Sequence, residues 1–139
     1  MAFAMRNHRA AYSGERILVV GLAAHRAALR LRAGVRPGYR VELESVFSEE
    51  FETAVSNGPF DEIHYFALRR DHFEAALEWL VAACRPEGAL AVYWPVDDAP
   101  VHTDLTEPYV AKIIKESRST VVSRERSAGW HRLQVAPAA

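Results

Sequence analysis

The chain has 139 residues, half of them apolar and a quarter charged, with a formal net charge of -1. That composition fits one globular domain with a real core and excludes a disordered or fibrous chain. The longest uncharged apolar stretch, residues 17–24, falls far short of the roughly 20 residues a membrane helix needs, and the single cysteine, Cys84, excludes a disulfide framework or a multi-cysteine metal site.

The first 14 residues mix small, basic and polar types without a period and read as a tail; residues 15–139 read as a single domain. Residues 16–20 read as a β-branched strand and 22–33 as a helix rich in alanine, leucine and arginine that stops at Gly34. Ile17, Val20, Gly21, Ala24, Ala28 and Leu31 also share one helical face, so one long helix capped by Ser13 is the alternative. The apolar run at 17–24 leads into His25-Arg26 with no small-residue cleavage site, so the expected compartment is the cytoplasm.

Pro37-Gly38 is a turn, and residues 39–46 alternate as a strand does. A helix is expected over 49–56, with Ser48 as its N-cap and acids in its first turn. Residues 63–68, almost wholly apolar, read as a central strand, within which His64 and Tyr65 are packed core residues. Phe73, Ala76, Leu77, Leu80, Val81 and Cys84 form a continuous stripe, so a helix covers 71–84, with Asp71 and Glu74 in capping-box positions. Pro86-Glu87-Gly88 turns the chain into a buried strand at 89–94. A loop, a helix ending near Ser117 and a terminal hairpin at 120–125 and 130–135 complete the order.

Strand, helix, Pro-Glu-Gly turn and strand, followed by a helix and a hairpin, are similar to the second half of class I methyltransferase-like Rossmann domains. Gly34-Val35-Arg36-Pro37-Gly38-Tyr39-Arg40-Val41, Trp94-Pro95 and Thr103-Asp104-Leu105-Thr106-Glu107 more closely resemble a family of short bacterial domains, domain-of-unknown-function family three-zero-five-two. The resemblance covers about residues 34–136. It implies an α/β, three-layer Rossmann-like fold: a truncated, methyltransferase-like, mostly parallel sheet with a C-terminal antiparallel hairpin. It implies no activity. Val96-Asp97 stands where that family tends to have lysine, and residues 15–33 look like an insertion atypical of it.

A methyltransferase needs a glycine-rich turn after its first strand, because side chains would block the adenosyl cofactor from the backbone. With residues 39–46 taken as that strand, the turn is Val46-Phe47-Ser48-Glu49-Glu50, bulky and acidic, so no S-adenosylmethionine site is expected and no cofactor is assigned. Residues 20–26 match only the first of the three glycines of the dinucleotide template. Asp97, Asp98 and His102 are the densest set of metal-ligand types, but they read as loop residues, with Asp104 capping the next helix, and no metal is assigned. Arg69 and Arg70, beside a helix N-terminus, could hold an anion.

The leading expectation is a non-catalytic interaction or regulatory module. The alternative is a small-ligand binder or enzyme whose crevice, at the carboxyl ends of the strands, is lined by Ser48, Arg69, Arg70, Asp97, Asp98 and His102. Residues 1–40 carry eight arginines and one acid, whereas 41–107 carry three arginines and fifteen acids. That asymmetry, with the surplus apolar run at 16–33, points to a symmetric homodimer or another protein partner. Nucleic-acid association through the arginines is the weaker reading, because no aromatics interleave with them.

Overall fold

A computed structural model describes residues 15–21, 38–43, 47, 49–99, 101–127 and 129–137. Residues 15–20 contain Ile17, Val19 and Val20, β-branched side chains that suit a pleated surface, and they form strand β1 (Glu15–Val20). This excludes the single long helix over its first part; the helix expected over 22–33 lies outside the described residues. The chain continues through β2 (Gly38–Leu43), α1 (Glu49–Ser56), β3 (Phe60–Phe66), α2 (Arg70–Ala83), β4 (Cys84–Pro95), α3 (Glu107–Glu116), β5 (Thr120–Ser127) and β6 (Trp130–Ala136). Among the described residues, no helix is long and apolar enough to cross a membrane.

The six strands form one sheet in the order β2-β1-β3-β4-β6-β5. β2, β1, β3 and β4 are mutually parallel, and β6 runs antiparallel to both β4 and β5, as a tight terminal hairpin requires. The order corrects two expectations. The strand expected over 39–46, taken as the first strand of a methyltransferase-like sheet, is β2, at the edge; its alternating pattern is that of a strand with one buried face. β1 stands inside the sheet, where Leu18, Val19 and Val20 are fully buried. A run apolar on both faces belongs in such a position, so these residues are core and not surplus apolar surface.

The three described helices share one core with the face of the sheet carrying Leu18, Val20, Ile63, Tyr65, Leu90, Val92, Trp94, Leu133 and Val135. α2 buries Phe73, Ala76, Leu77 and Leu80 of the expected stripe, each large member contributing about 1.5–3 kcal/mol of transfer free energy; Ala83 is buried with them, Val81 is half-buried, and Cys84 lies just past the helix as its C-cap. On the other face a smaller cluster forms from Ile17, Val19, Phe66, Ala91 and Tyr93, with Trp130 against it.

Arg85 to Gly88, expected as a free turn, instead begin β4 with an irregularity in its register against β3. The cause is local: the Arg85 guanidinium donates to the Asp61 carboxylate, and Gly88 approaches so closely that a Cβ there would stand 2.7 Å from the Asp61 carbonyl oxygen. Asp61 also accepts the Arg16 amide at 2.8 Å, so one carboxylate joins the starts of β1, β3 and β4.

Cys84 closes α2 and is buried. Burial pushes its thiol up to about 11; the Asp61 carboxylate adds to this and Arg85 opposes it. Because only thiolate reacts, iodoacetamide at pH 8 should alkylate native Cys84 about a hundredfold more slowly than the unfolded chain, from the difference in ionised fraction alone. The sign also follows. The unfolded thiol ionises first, so stability falls as pH rises from about 9 towards 11. Equal labelling rates in buffer and in denaturant would remove the shift.

Candidate functional site

In an open parallel sheet, ligands bind beyond the carboxyl ends of the strands, at the point where the strand order reverses. Here the reversal lies at β1, which has β2 on one side and β3 on the other. The first-strand turn is therefore the one beginning at Gly21, and not residues 46–50, which follow β2. Gly21 has φ +93°, donates its amide to the Leu43 carbonyl at 2.7 Å, and would place a Cβ 2.5 Å from the Phe66 carbonyl oxygen. Its missing side chain lets the end of β1 close against the end of β3.

The β3 end continues through Ala67, Leu68 and Arg69 into α2. Arg69 is the N-cap residue in an extended conformation and makes no side-chain cap bond. The capping role expected of Asp71 is corrected, because the helix starts one residue earlier and places Asp71 in the first turn. There its carboxylate accepts from the His72 amide at 2.9 Å and from the Arg69 guanidinium at 3.2 and 3.4 Å. The hydrogen bond from Arg69 is the main cause that holds the Asp71 carboxyl below its ordinary range. Both side chains are exposed, so the pair adds little to stability.

The bond that satisfies the first turn of α2 comes from 34 residues away. Asp104 Oδ1 accepts the Arg70 amide at 2.7 Å, and Arg70 Nε donates to the Asp104 carbonyl at 2.7 Å. The Arg70 guanidinium also lies 4.2 Å over the Tyr109 ring. Thr103 Oγ1 donates to the Leu68 carbonyl at 2.8 Å and accepts the Leu105 amide at 3.1 Å. Asp104 thus serves α2 and not the helix that follows it. α3 takes Thr106 as its N-cap, accepting the Tyr109 amide at 3.4 Å, and Pro108 falls in the first turn, where no amide is needed.

The remaining candidates point elsewhere. Asp97 and Asp98 are exposed in the turn after β4, and Asp98 lies 4.0 Å from Arg126 of β5. The Val96 amide donates to the Gly129 carbonyl at 3.0 Å, which fastens this turn to the hairpin. His102 is exposed, and Ser48 lies outside the described residues. Of the six candidates, Arg69 and Arg70 thus stand together at the start of α2, where Asp104 braces Arg70, and Asp98 lies by the hairpin with Asp97 beside it in sequence; among the described residues no bond places His102 with either pair. Among the described residues, no three His, Cys, Asp or Glu side chains form a group that could hold a metal ion.

A polar network on the opposite face of the sheet escaped the sequence reading. His64, buried as expected of a core residue, has Nε2 2.7 Å from Glu62 Oε1 and Nδ1 2.8 Å from the Tyr93 hydroxyl. One neutral tautomer serves both bonds: Nε2–H donates to the carboxylate, and Nδ1 accepts from the phenol. Arg132 Nε donates to the same hydroxyl at 3.2 Å, and its terminal nitrogens reach Glu125 at 3.4 Å and Gln134 at 3.2 Å. Phe66 stacks on Tyr93 with ring centroids 4.1 Å apart. The spacing of Glu62 and His64 was a signal, since residues two apart on a strand share a face. Their partners on β4 and β6 depend on cross-strand register, which no local pattern encodes.

No family model matches the chain, and no curated protein does. Solved structures do. The chain is similar to the mitomycin 7-O-methyltransferase MmcR at 11% identity and a TM-score of 0.60, over 91% of this chain and 50% of that one. It thus spans about half the length of that enzyme. Similarity to the CcbJ methyltransferase from Streptomyces caelestis covers 98% of this chain and 88% of that one, at 12% identity and a TM-score of 0.61. The DhpI complex with SAH matches over 97% and 82%, at 13% identity and a TM-score of 0.60. At such identities the likeness concerns the fold, and the chain has the Rossmann-like α/β fold of methyltransferases.

Proposed function

We propose that this domain works by binding a partner and does not transfer methyl groups from S-adenosylmethionine. The observation that supports this reading is that Arg69, Arg70 and Asp98, three of the candidate polar side chains at the carboxyl ends of the strands, already have partners within the chain. Arg70 is held by Asp104 and Tyr109, Arg69 by Asp71, and Asp98 lies beside Arg126. Arg70 ties α2 to the segment before α3, whereas Asp98 faces β5 of the hairpin. Gly21, at the start of the first-strand turn, is required for chain packing against Phe66, and residues 20–26 of the sequence carry no second glycine that would let a cofactor approach the backbone. A compartment in the cytoplasm fits this reading.

Calorimetric titration with S-adenosylmethionine up to millimolar concentration tests it. The expected result is no saturable heat. A dissociation constant below about 100 µM, worth roughly 5.5 kcal/mol, would overturn the reading. The strand order favours one second reading, a small-ligand binder at the crevice between β1 and β3. A thermal-shift series with nucleotides separates the two, because a ligand of the native state raises the unfolding midpoint with the logarithm of its excess over Kd.

A further inference from the structure

α1 and α2 lie side by side on the sheet, and between them Phe47, Phe51, Glu52, Ala75, Ala76 and Trp79 line a pocket of about 200 Å³. Binding sites for small organic ligands run from roughly 300 to 1,000 Å³, so this pocket is the size of a side-chain anchor and not of a cofactor. Two large aromatic residues stand at its mouth: Phe47 is 62% exposed and Trp79 53% exposed. Tryptophan at an open, side-chain-sized pocket is the composition of a protein-binding hot spot. The exposed carboxylates of the two helices set the charge of this face. Glu52 lines the pocket, Glu49 and Glu50 on α1 and Asp71, Glu74 and Glu78 on α2 are exposed, the His72 ring packs edge-on against Phe47, and the only arginine on either helix, Arg70, is engaged by Asp104.

An occupant must therefore carry an apolar anchor together with positive charge. Residues 1–14 of this chain have that composition: Phe3, Met5 and Tyr12 with Arg6 and Arg9, and no acid. These residues lie outside the described ones. Fourteen residues can span at most about 50 Å, enough to pass from one molecule to another.

We propose that the Phe47–Trp79 groove receives the N-terminal segment of a second copy of this chain, giving a two-fold dimer by reciprocal exchange. The symmetry closes the assembly, since each copy supplies one segment and one groove. The opposite charges of segment and groove speed encounter and make the association salt-dependent. The inference goes beyond the proposed lack of methyl transfer and stands whether or not the strand-end crevice binds a ligand.

Sedimentation equilibrium of the full chain at 10–100 µM is the test. A dimer is expected at low salt, weakened at least tenfold in 0.5 M sodium chloride. Trp79→Ala should weaken it about thirtyfold, the scale of a buried aromatic anchor. The double variants Arg6→Glu/Arg9→Glu and Glu52→Arg/Glu78→Arg change only charges, and each alone should be monomeric with an unchanged circular dichroism spectrum. Mixed one to one, they should form a dimer again, because both exchanged contacts are then complementary. A wild-type monomer throughout this range overturns the proposal, as it would if the segment docks within its own chain. A dimer indifferent to Trp79→Ala and to both charge variants also overturns it, since the interface then lies elsewhere.

Discussion

Replacing Gly21 by alanine is expected to destabilise the domain by about 2–5 kcal/mol, a large share of the stability of a typical domain. Two costs add. A φ of +93° strains any residue with a side chain by roughly 1–2 kcal/mol. The new Cβ would also stand 2.5 Å from the Phe66 carbonyl oxygen, a backbone atom in β3 that cannot rotate aside, and overpacking of this kind costs about 1–3 kcal/mol. Gly129 supplies the control. It has a similar φ of +85°, but nothing lies within 4 Å of the position its Cβ would take, so Gly129→Ala should cost only about 1–2 kcal/mol. Urea denaturation followed by tryptophan fluorescence reads both. If the two variants shift the midpoint equally, the contact between the ends of β1 and β3 is looser than the geometry requires.

The same glycine shows where sequence reasoning stops. Its position after a β-branched run was visible, but its place in the sheet was not, because strand order is set by which faces need cover and not by order along the chain. Four consecutive buried residues, Ile17 to Val20, fill an internal position between β2 and β3, whereas the alternating β2 suffices at an edge. Assigning the first-strand turn to residues 46–50 followed from counting strands without that information. Helix α2 was legible nearly to the residue, since a 14-residue apolar stripe with period 3.6 has one interpretation. α1 was legible through its acidic first turn, and the hairpin as two short strands close in sequence.

The candidate site was less legible, because its residues were chosen as strand-end polar groups and their partners are remote in sequence. Asp104 shows why. Within its own segment it looks like the cap of the following helix, yet the nearest orphan amide is that of Arg70, brought beside it by the parallel pairing of β3 and β4. A carboxylate satisfies whichever helix end the fold presents to it. Thr106 was then left to cap α3, two residues later than expected.

Replacing His64 by alanine is expected to cost about 3–5 kcal/mol, and Tyr93→Phe about 1–3 kcal/mol. The alanine removes a ring that is only 3% exposed, leaving a void between β3 and β4, and takes from Glu62 and from the Tyr93 hydroxyl bonds of 2.7 and 2.8 Å. The phenylalanine keeps the ring stacked on Phe66 and removes only the oxygen shared by His64 and Arg132. The two effects should not add. Once His64 is gone, the hydroxyl has lost its closest partner, and removing it costs less. The double variant should therefore be more stable than the sum of the single losses by about 0.5–3 kcal/mol, the range seen for residues in one hydrogen-bonded network. Chemical denaturation of the four proteins gives this coupling energy directly. A value near zero would mean that His64 and Tyr93 are merely packed against each other, and that the polar chain from Glu62 to Arg132 does not act as a unit in holding β3, β4 and β6 in register.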